Sequence, residues 1–387
     1  MNIPNMELRK FVAPEFVFGI DARMLAGRYA KNFGAQKILV VTDSGVMNSG
    51  WVNELLMVLD DEKIPYEVYS DVTPNPREKE VMKGSEVYKD NDCNSIVAIG
   101  GGSAMDCAKC IGIVSSNNGN ILEFEGVDMV SNPIPPLICI PTTAGSSADV
   151  SQFAIIKDQK KKVKIAIISK AVVPDIALID PITTTTMDEN LTASTGMDAL
   201  THAFEAYVSN ASSPITDIHA LNAVRLISSN LVKTIDNLDN IGFRGNMMLG
   251  SLEAGLAFSN ASLGAVHAMA HSLGGFLDLP HGECNAVLLD YVIDFNFDSE
   301  PLRYERLGEA MGINLNYMNS NQKKHAIITK IKSLKEKLGI DVTLEKIGVK
   351  KSNISVLSKN AMEDPCIITN PRKPEQIELE KIFENAL

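Results

Sequence analysis

Three of the chain's six histidines, His267, His271 and His281, fall within fifteen residues of one another. A fourth, His202, follows Asp198 by four positions in TGMDALTHAFE. Residues i and i+4 of a helix share a face, so Asp198 and His202 can grip one ion together, and His267 and His271 of VHAMAH share a face in the same way. His281 follows a proline-containing turn, LDLPHGE, that can swing it back toward them. Imidazoles gathered on apolar helices are costly unless something uses them. A carboxylate with three imidazoles suits iron(II), zinc or another first-row divalent ion, and a set without cysteine speaks against a closed structural zinc site. His219 and His325 lack such company and read as structural or solvated.

A second group with chemical meaning is Gly100, Gly101, Gly102 and Ser103, which directly follows the apolar run SIVAI. Glycines let the backbone approach a phosphate, and the free amides of a helix start attract the anion. Ser103 and Asp106 have the spacing of a capping box, which predicts a helix opening near Ala104. The order differs from G-x-G-x-x-G, so the ordinary dinucleotide fingerprint is absent. Asp43 closes the run KILVVTD. A carboxylate there either accepts from ribose hydroxyls and repels a 2′-phosphate, or caps the helix that follows. Cys107 and Cys110 form a CAKC pair inside an expected helix. With no second pair to complete a zinc site, they read as small buried hydrophobes.

These groups need a scaffold, and two periodicities describe it. Apolar, β-rich runs occupy residues 37–42, 66–69, 95–99, 136–140, 165–169 and 176–179, with helical stretches at 51–60 and 77–89 between the early ones. Such alternation predicts a parallel sheet covered on both faces. Beyond residue 180 the strand signals fade and apolar residues recur at helical spacing. The expected fold class is therefore an α/β nucleotide-binding domain over 1–186 followed by an all-α metal- and substrate-binding domain over 187–387. A chain of 387 residues is long enough for two cores.

Composition narrows the partners. Hydrophobic residues make up 45% and charged residues 22%, ordinary proportions for a globular protein. The net charge of −12 argues against nucleic acid or an anionic membrane surface as partner. No stretch approaches the roughly 20 apolar residues that span a bilayer. Six cysteines in so long a chain make no disulfide framework and suit a reducing compartment, so a cytoplasmic location is expected.

Taken in order, AIGGGSAMDCAK, IPTTAGSSAD, TGMDALTHAFEAY, NASLGAVHAMAHSLGG, LPHGECNA and the late NPR of residues 370–372 resemble the iron-containing (group III) alcohol dehydrogenases over nearly the whole chain. That family includes lactaldehyde reductase and propanediol dehydrogenase. The resemblance implies a dehydroquinate synthase-like fold, with Asp198, His202, His267 and His281 as metal ligands and His271 passing a proton beside the substrate. It places pyrophosphate on Gly100 to Ser103 with Asp106 nearby, and further cofactor contacts at Asn75, Thr142, Thr143, Ser146 and Lys164. Asp43 matches the position that favours NAD over NADP, and Phe258 and Cys366 match substrate-pocket positions.

What this implies in function is hydride transfer between NAD and a small primary alcohol or diol, helped by a divalent metal, iron(II) first and zinc second, in a homodimer or larger homo-oligomer. Two departures stand out. PTTAGSSAD replaces the family's usual P-T-T-A-G-T-G-S-E, and the tract before the metal helix lacks a common proline. A zinc polyol dehydrogenase of the glycerol type and a non-catalytic assembly protein are the competing readings.

Overall fold

Aliphatic runs uninterrupted by charge form strands buried on both faces, as ILVVTD and SIVAIG do here. The computed structural model describes residues 8–340 and 342–387. Val12–Met187 forms one compact unit, and Asp188–Leu387 together with residues 8–11 forms another.

The strands of the first unit are β1 (Glu15–Phe18), β2 (Ile38–Asp43), β3 (Tyr66–Val72), β4 (Ser95–Gly100), β5 (Gly126–Val127), β6 (Leu137–Pro141), β7 (Phe153–Asp158), β8 (Val163–Ile168) and β9 (Ile176–Ile179). Six of them make a wholly parallel sheet in the order β1-β9-β6-β4-β2-β3. Helices α1 (Ala26–Asn32), α2 (Ser44–Ser49), α3 (Trp51–Asp61), α4 (Glu78–Asp90) and α5 (Gly102–Asn117) connect them. One core packs α1 and α3 against the sheet, and another packs α4 and α5 against its other side.

The chain leaves β2 toward β3 at one edge and leaves β4 toward β6 in the opposite direction. The loops after β2 and β4 therefore diverge, opening a crevice at their carboxyl ends, where ligands of open α/β sheets bind. Asp43 and Gly100 end those two strands.

The parallel sheet agrees with expectation, but one strand belongs elsewhere. The run near 165–169 is β8, which lies in a separate three-stranded sheet, antiparallel to β7 and parallel to β5.

The second unit contains α6 (Glu189–Val208), α7 (Pro214–Asp236), α8 (Ile241–Ala261), α9 (Ala265–Leu277), α10 (His281–Asn296), α11 (Pro301–Ala310), α12 (Ser320–Lys337), α13 (Ile354–Glu363) and α14 (Gln376–Ala386), with no strand among its described residues. No helix is long and apolar enough to cross a membrane among the described residues. Asp188 caps α6 by accepting from the Leu191 amide. Where α10 crosses α6 the backbones nearly touch: a Cβ on Gly282 would lie 2.5 Å from the Ser194 carbonyl oxygen. That closeness brings His281, one residue earlier, against the inner face of α6.

Candidate active site

Three helices of the second unit converge on one carboxylate. Asp198 and His202 lie one turn apart on α6, His267 near the start of α9, and His281 at the first position of α10. The Nε2 atoms of His202, His267 and His281 lie 3.9, 3.7 and 3.8 Å from Asp198 Oδ1. Asp198, His202 and His267 are buried, and His281 is partly so. Burial alone would push the Asp198 carboxyl up, but the His202, His267 and His281 imidazoles hold it well below the usual carboxylate range.

Of these, Asp198, His267 and His281 have donor atoms all within 4.8 Å of one another, a spacing at which one ion could be held, and His202 approaches the same carboxylate oxygen. The donor set fits a borderline divalent ion such as iron(II) or zinc.

The residues that aim these ligands are remote in sequence. Glu205 lies one turn beyond His202 on α6 and accepts from His267 Nδ1 at 2.6 Å. The proton is thereby held on Nδ1, leaving Nε2 with its lone pair directed at the ligand cluster. The same carboxylate accepts the Gly264 and Val266 amides at 3.0 and 2.6 Å, so it also caps α9. Burial lowers the His267 pKa, but Asp198 and Glu205 raise it to about 9, so an ion that binds Nε2 displaces a proton from it. Asn370 accepts from the Ala265 amide at 3.0 Å and exchanges hydrogen bonds with Asn296, which gives the NPR segment a structural task.

His271 lies one turn beyond His267. Its ring stacks on His281 at 5.2 Å between centroids, and its Nδ1 lies 2.8 Å from Asp364 Oδ2. Burial would raise the Asp364 carboxyl, but His271 and the Cys366 amide hold it below its ordinary value. Cys366 is buried beside this pair, its amide donating to Asp364 Oδ1. Phe258 stacks on His202 at 4.3 Å. The structure thus gathers the four expected ligands, His271, Phe258 and Cys366 in one unit. Glu205, Asp364 and Asn285 of α10, whose amide nitrogen donates to Asp198 Oδ1 at 2.6 Å, were not anticipated.

His219 pairs with Glu253 and stacks on Phe11, and His325 is exposed. All six cysteines are buried and free, Cys107 and Cys110 inside α5.

In the first unit the glycine loop is pressed against the other expected cofactor residues. A Cβ on Gly101 would lie 3.2 Å from Thr143, and one on Gly102 would lie 2.7 Å from Ser146 Oγ. Gly100 has φ +156°, and a Cβ there would be 3.4 Å from Asp43 Oδ2. The Thr142 amide donates to the Gly100 carbonyl at 2.9 Å. Asp43 accepts from the Gly45 and Val46 amides, so it does cap α2. Asn75 holds a left-handed conformation, φ +56°, next to Pro76, whose carbonyl accepts from the Lys157 amide of β7. Lys164 lies on β8, where its charge acts on Asp106.

One local expectation fails. The helix opens at Gly102 with Gly101 as N-cap and no side-chain cap, so Ser103 and Asp106 form no capping box. Asp106 is drawn instead to the buried Lys109 and the Ile155 backbone, and burial pushes its carboxyl up to about 6. The first amides of α5 are thus left without a side-chain cap, as an anion site at a helix start requires.

Comparison with known proteins points to one family. The model of the family "Iron-containing alcohol dehydrogenase" matches residues 13–181, and that of the "Fe-containing alcohol dehydrogenase family, C-terminal" matches 192–387. Alcohol dehydrogenase 4 of Schizosaccharomyces pombe is 41% identical over 99% of this chain and 90% of its own. An NAD-dependent methanol dehydrogenase of Bacillus methanolicus is 35% identical over 97% and 99%. The crystal structure of a 1,3-propanediol oxidoreductase superposes with a TM-score of 0.95 at 36% identity, covering 98% of this chain and 100% of that one.

Proposed function

Because the chain belongs to the iron-containing alcohol dehydrogenase family and is an NAD-dependent oxidoreductase, we propose that it interconverts small primary alcohols or diols and their aldehydes at the cluster of Asp198, His202, His267 and His281. The observation that carries this reading is the set of three Nε2 atoms 3.7 to 3.9 Å from Asp198 Oδ1. The alcohol, diol and methanol activities in its relatives' names support the substrate class.

A bound divalent cation supplies Lewis acidity that favours the alkoxide, and bound NAD supplies the hydride acceptor. The protein does the rest. Glu205 fixes the His267 tautomer, and the single negative charge of Asp198 would offset half of a divalent cation's charge, leaving a net positive centre among the imidazoles. His271, oriented by Asp364, moves the hydroxyl proton toward solvent through Nε2. Phe258, stacked on His202, and the buried Cys366 would give the substrate an apolar wall that suits short carbon chains.

For the cofactor, the amides of Gly101 to Ser103 hold the pyrophosphate, and Asp43 receives the adenosine ribose and disfavours a 2′-phosphate. Thr142, Thr143, Ser146, Asn75, Lys164 and Asp106 complete the loop's surroundings. A homodimer is the commonest assembly among soluble oligomers and is the one expected here, and six buried free thiols suit the cytoplasm.

The test is direct. Protein purified without oxygen should form NADH from ethanol and propanediol, lose that activity on chelation and regain it with iron(II). Activity indifferent to chelation, or absent with every alcohol while NAD binds, would overturn the reading.

A further inference from the structure

β7 lies at the edge of the three-stranded sheet, so the partners of its outward backbone groups record what the strand passes. At its start the Ser151 and Phe153 carbonyls each accept from Lys109 Nζ at 2.8 Å. Two residues on, the Ile155 backbone holds the Asp106 carboxylate. Two further on, the Lys157 amide donates to the Pro76 carbonyl at 2.8 Å, beside Asn75. The strand therefore runs back along α5, from Lys109 toward the helix start. At about 3.4 Å per strand residue and about 1.5 Å per helix residue, Lys157 comes level with Gly102, and the turn beyond it passes the glycine loop.

The hairpin of β7 and β8 reads KDQKKKVK over residues 157–164, five lysines to one aspartate, in a chain of net charge −12. Asp158 is buried and its carboxylate accepts the Lys160 and Lys161 amides, both at 2.9 Å. Its carbonyl accepts the Lys162 amide at 2.9 Å. These bonds fix the turn and leave Lys160, Lys161 and Lys162 exposed. Lys161 lies 3.8 Å from Asp158, which offsets one charge and leaves the turn positive. Lys164, paired with Lys157 across the hairpin, carries the same sign inward to Asp106.

We propose that this lysine-rich turn steers NAD and NADH into the phosphate loop, acting on the rate of capture rather than on contacts in the bound state. The inference rests on the cofactor-site reading above. The dinucleotide is an anion, and a chain of this net charge repels it at long range. A positive patch at the mouth of the site concentrates the ligand there, which raises association rates about 10- to 1,000-fold in steered systems. Once the pyrophosphate rests on the amides of the glycine loop, the exposed lysines have no further part in holding it.

The experiment follows NADH binding to the full-length protein by stopped-flow fluorescence. Potassium chloride is raised from about 10 mM to about 1 M, which shortens the screening length from about 30 Å to about 3 Å. Steering by the turn makes the wild-type association rate fall with salt, whereas repulsion by the whole chain makes it rise. In Lys160→Gln/Lys161→Gln/Lys162→Gln the rate at low salt should fall about 10-fold and its salt dependence should flatten. Dissociation, and turnover at saturating NAD, should stay as in the wild type. Lys160→Glu/Lys161→Glu/Lys162→Glu should reverse the salt dependence.

A glutamine variant with the wild-type association rate and salt dependence would overturn the proposal. So would a loss that lies wholly in faster dissociation, which would make these lysines contacts of the bound state. If the variants do not fold, a wild-type association rate that rises with salt overturns it equally. A wild-type protein that binds no NADH at any salt concentration would instead sink the cofactor-site reading itself.

Discussion

At the scale of single residues, the site depends as much on groups that aim the ligands as on the ligands. Glu205 does two things with one carboxylate: it holds His267 Nδ1 and accepts amides at the start of α9. Glu205→Gln keeps the size but no longer holds the His267 proton with a full charge. Metal affinity should fall about 10- to 100-fold, and thermal unfolding should occur earlier because an α9 cap worth about 1 kcal/mol is weakened. Metal titration and a melting curve on the same sample check both. Asp364→Asn acts on a different step. It leaves the four ligands intact but lets His271 turn, so kcat should fall about 100-fold, the lower range for general acid–base catalysis, with KM and metal content little changed. Lost metal in that variant would contradict the separation of roles. Neither residue was legible in the sequence. Glu205 lies 62 positions from His267, and Asp364 lies 93 from His271. Spacing along a chain reports only neighbours on one helix, which is why Asp198 with His202 stood out and these partners did not.

At the scale of elements, legibility followed burial. β2, β4, β6 and β9 are nearly all buried and stood out as apolar runs, whereas β1 is mostly exposed and β5 has only two residues. β7 was hidden for another reason. It meets β8 through a tight hairpin rich in lysine, and such a charge run reads as a loop. The helix start after β4 was placed two residues late because Ser103 and Asp106 have capping spacing, while the helix is opened by glycines packed on Thr143 and Ser146. That packing gives a prediction. Gly102→Ala puts a methyl group 2.7 Å from Ser146 Oγ, so the loop or Ser146 must shift. NAD affinity, read by NADH fluorescence, should fall about 10-fold, a loss of roughly 1.4 kcal/mol, while metal affinity stays as in the wild type. Equal NAD affinity would mean that these amides do not carry the pyrophosphate. Asp43→Asn tests the neighbouring strand end. It retains an acceptor for the α2 cap, so stability should change little, but the discrimination against NADP should narrow.

At the scale of the whole molecule, the two chemical tasks fall in two units, each with its own interior: the phosphate loop in Val12–Met187 and the ligand helices in Asp188–Leu387. A ligand that binds only the folded state stabilises it by about 2.7 kcal/mol at 100 times its dissociation constant. The gain appears as slower opening of the elements that hold the ligand. Iron(II) should therefore slow amide exchange chiefly in α6, α9 and α10, whose side chains form the cluster. The start of α9 should respond most, because its amides are tied through Glu205 to a ligand histidine. NAD should slow exchange at the ends of β2 and β4 and in the first turn of α5. Hydrogen-exchange mass spectrometry with each ligand alone distinguishes these patterns. Protection by iron(II) confined to the first unit, or by NAD confined to the second, would contradict the assignment of both sites. Chelation should reverse only the pattern in the helical unit, since no group in the phosphate loop is offered as a ligand to the ion.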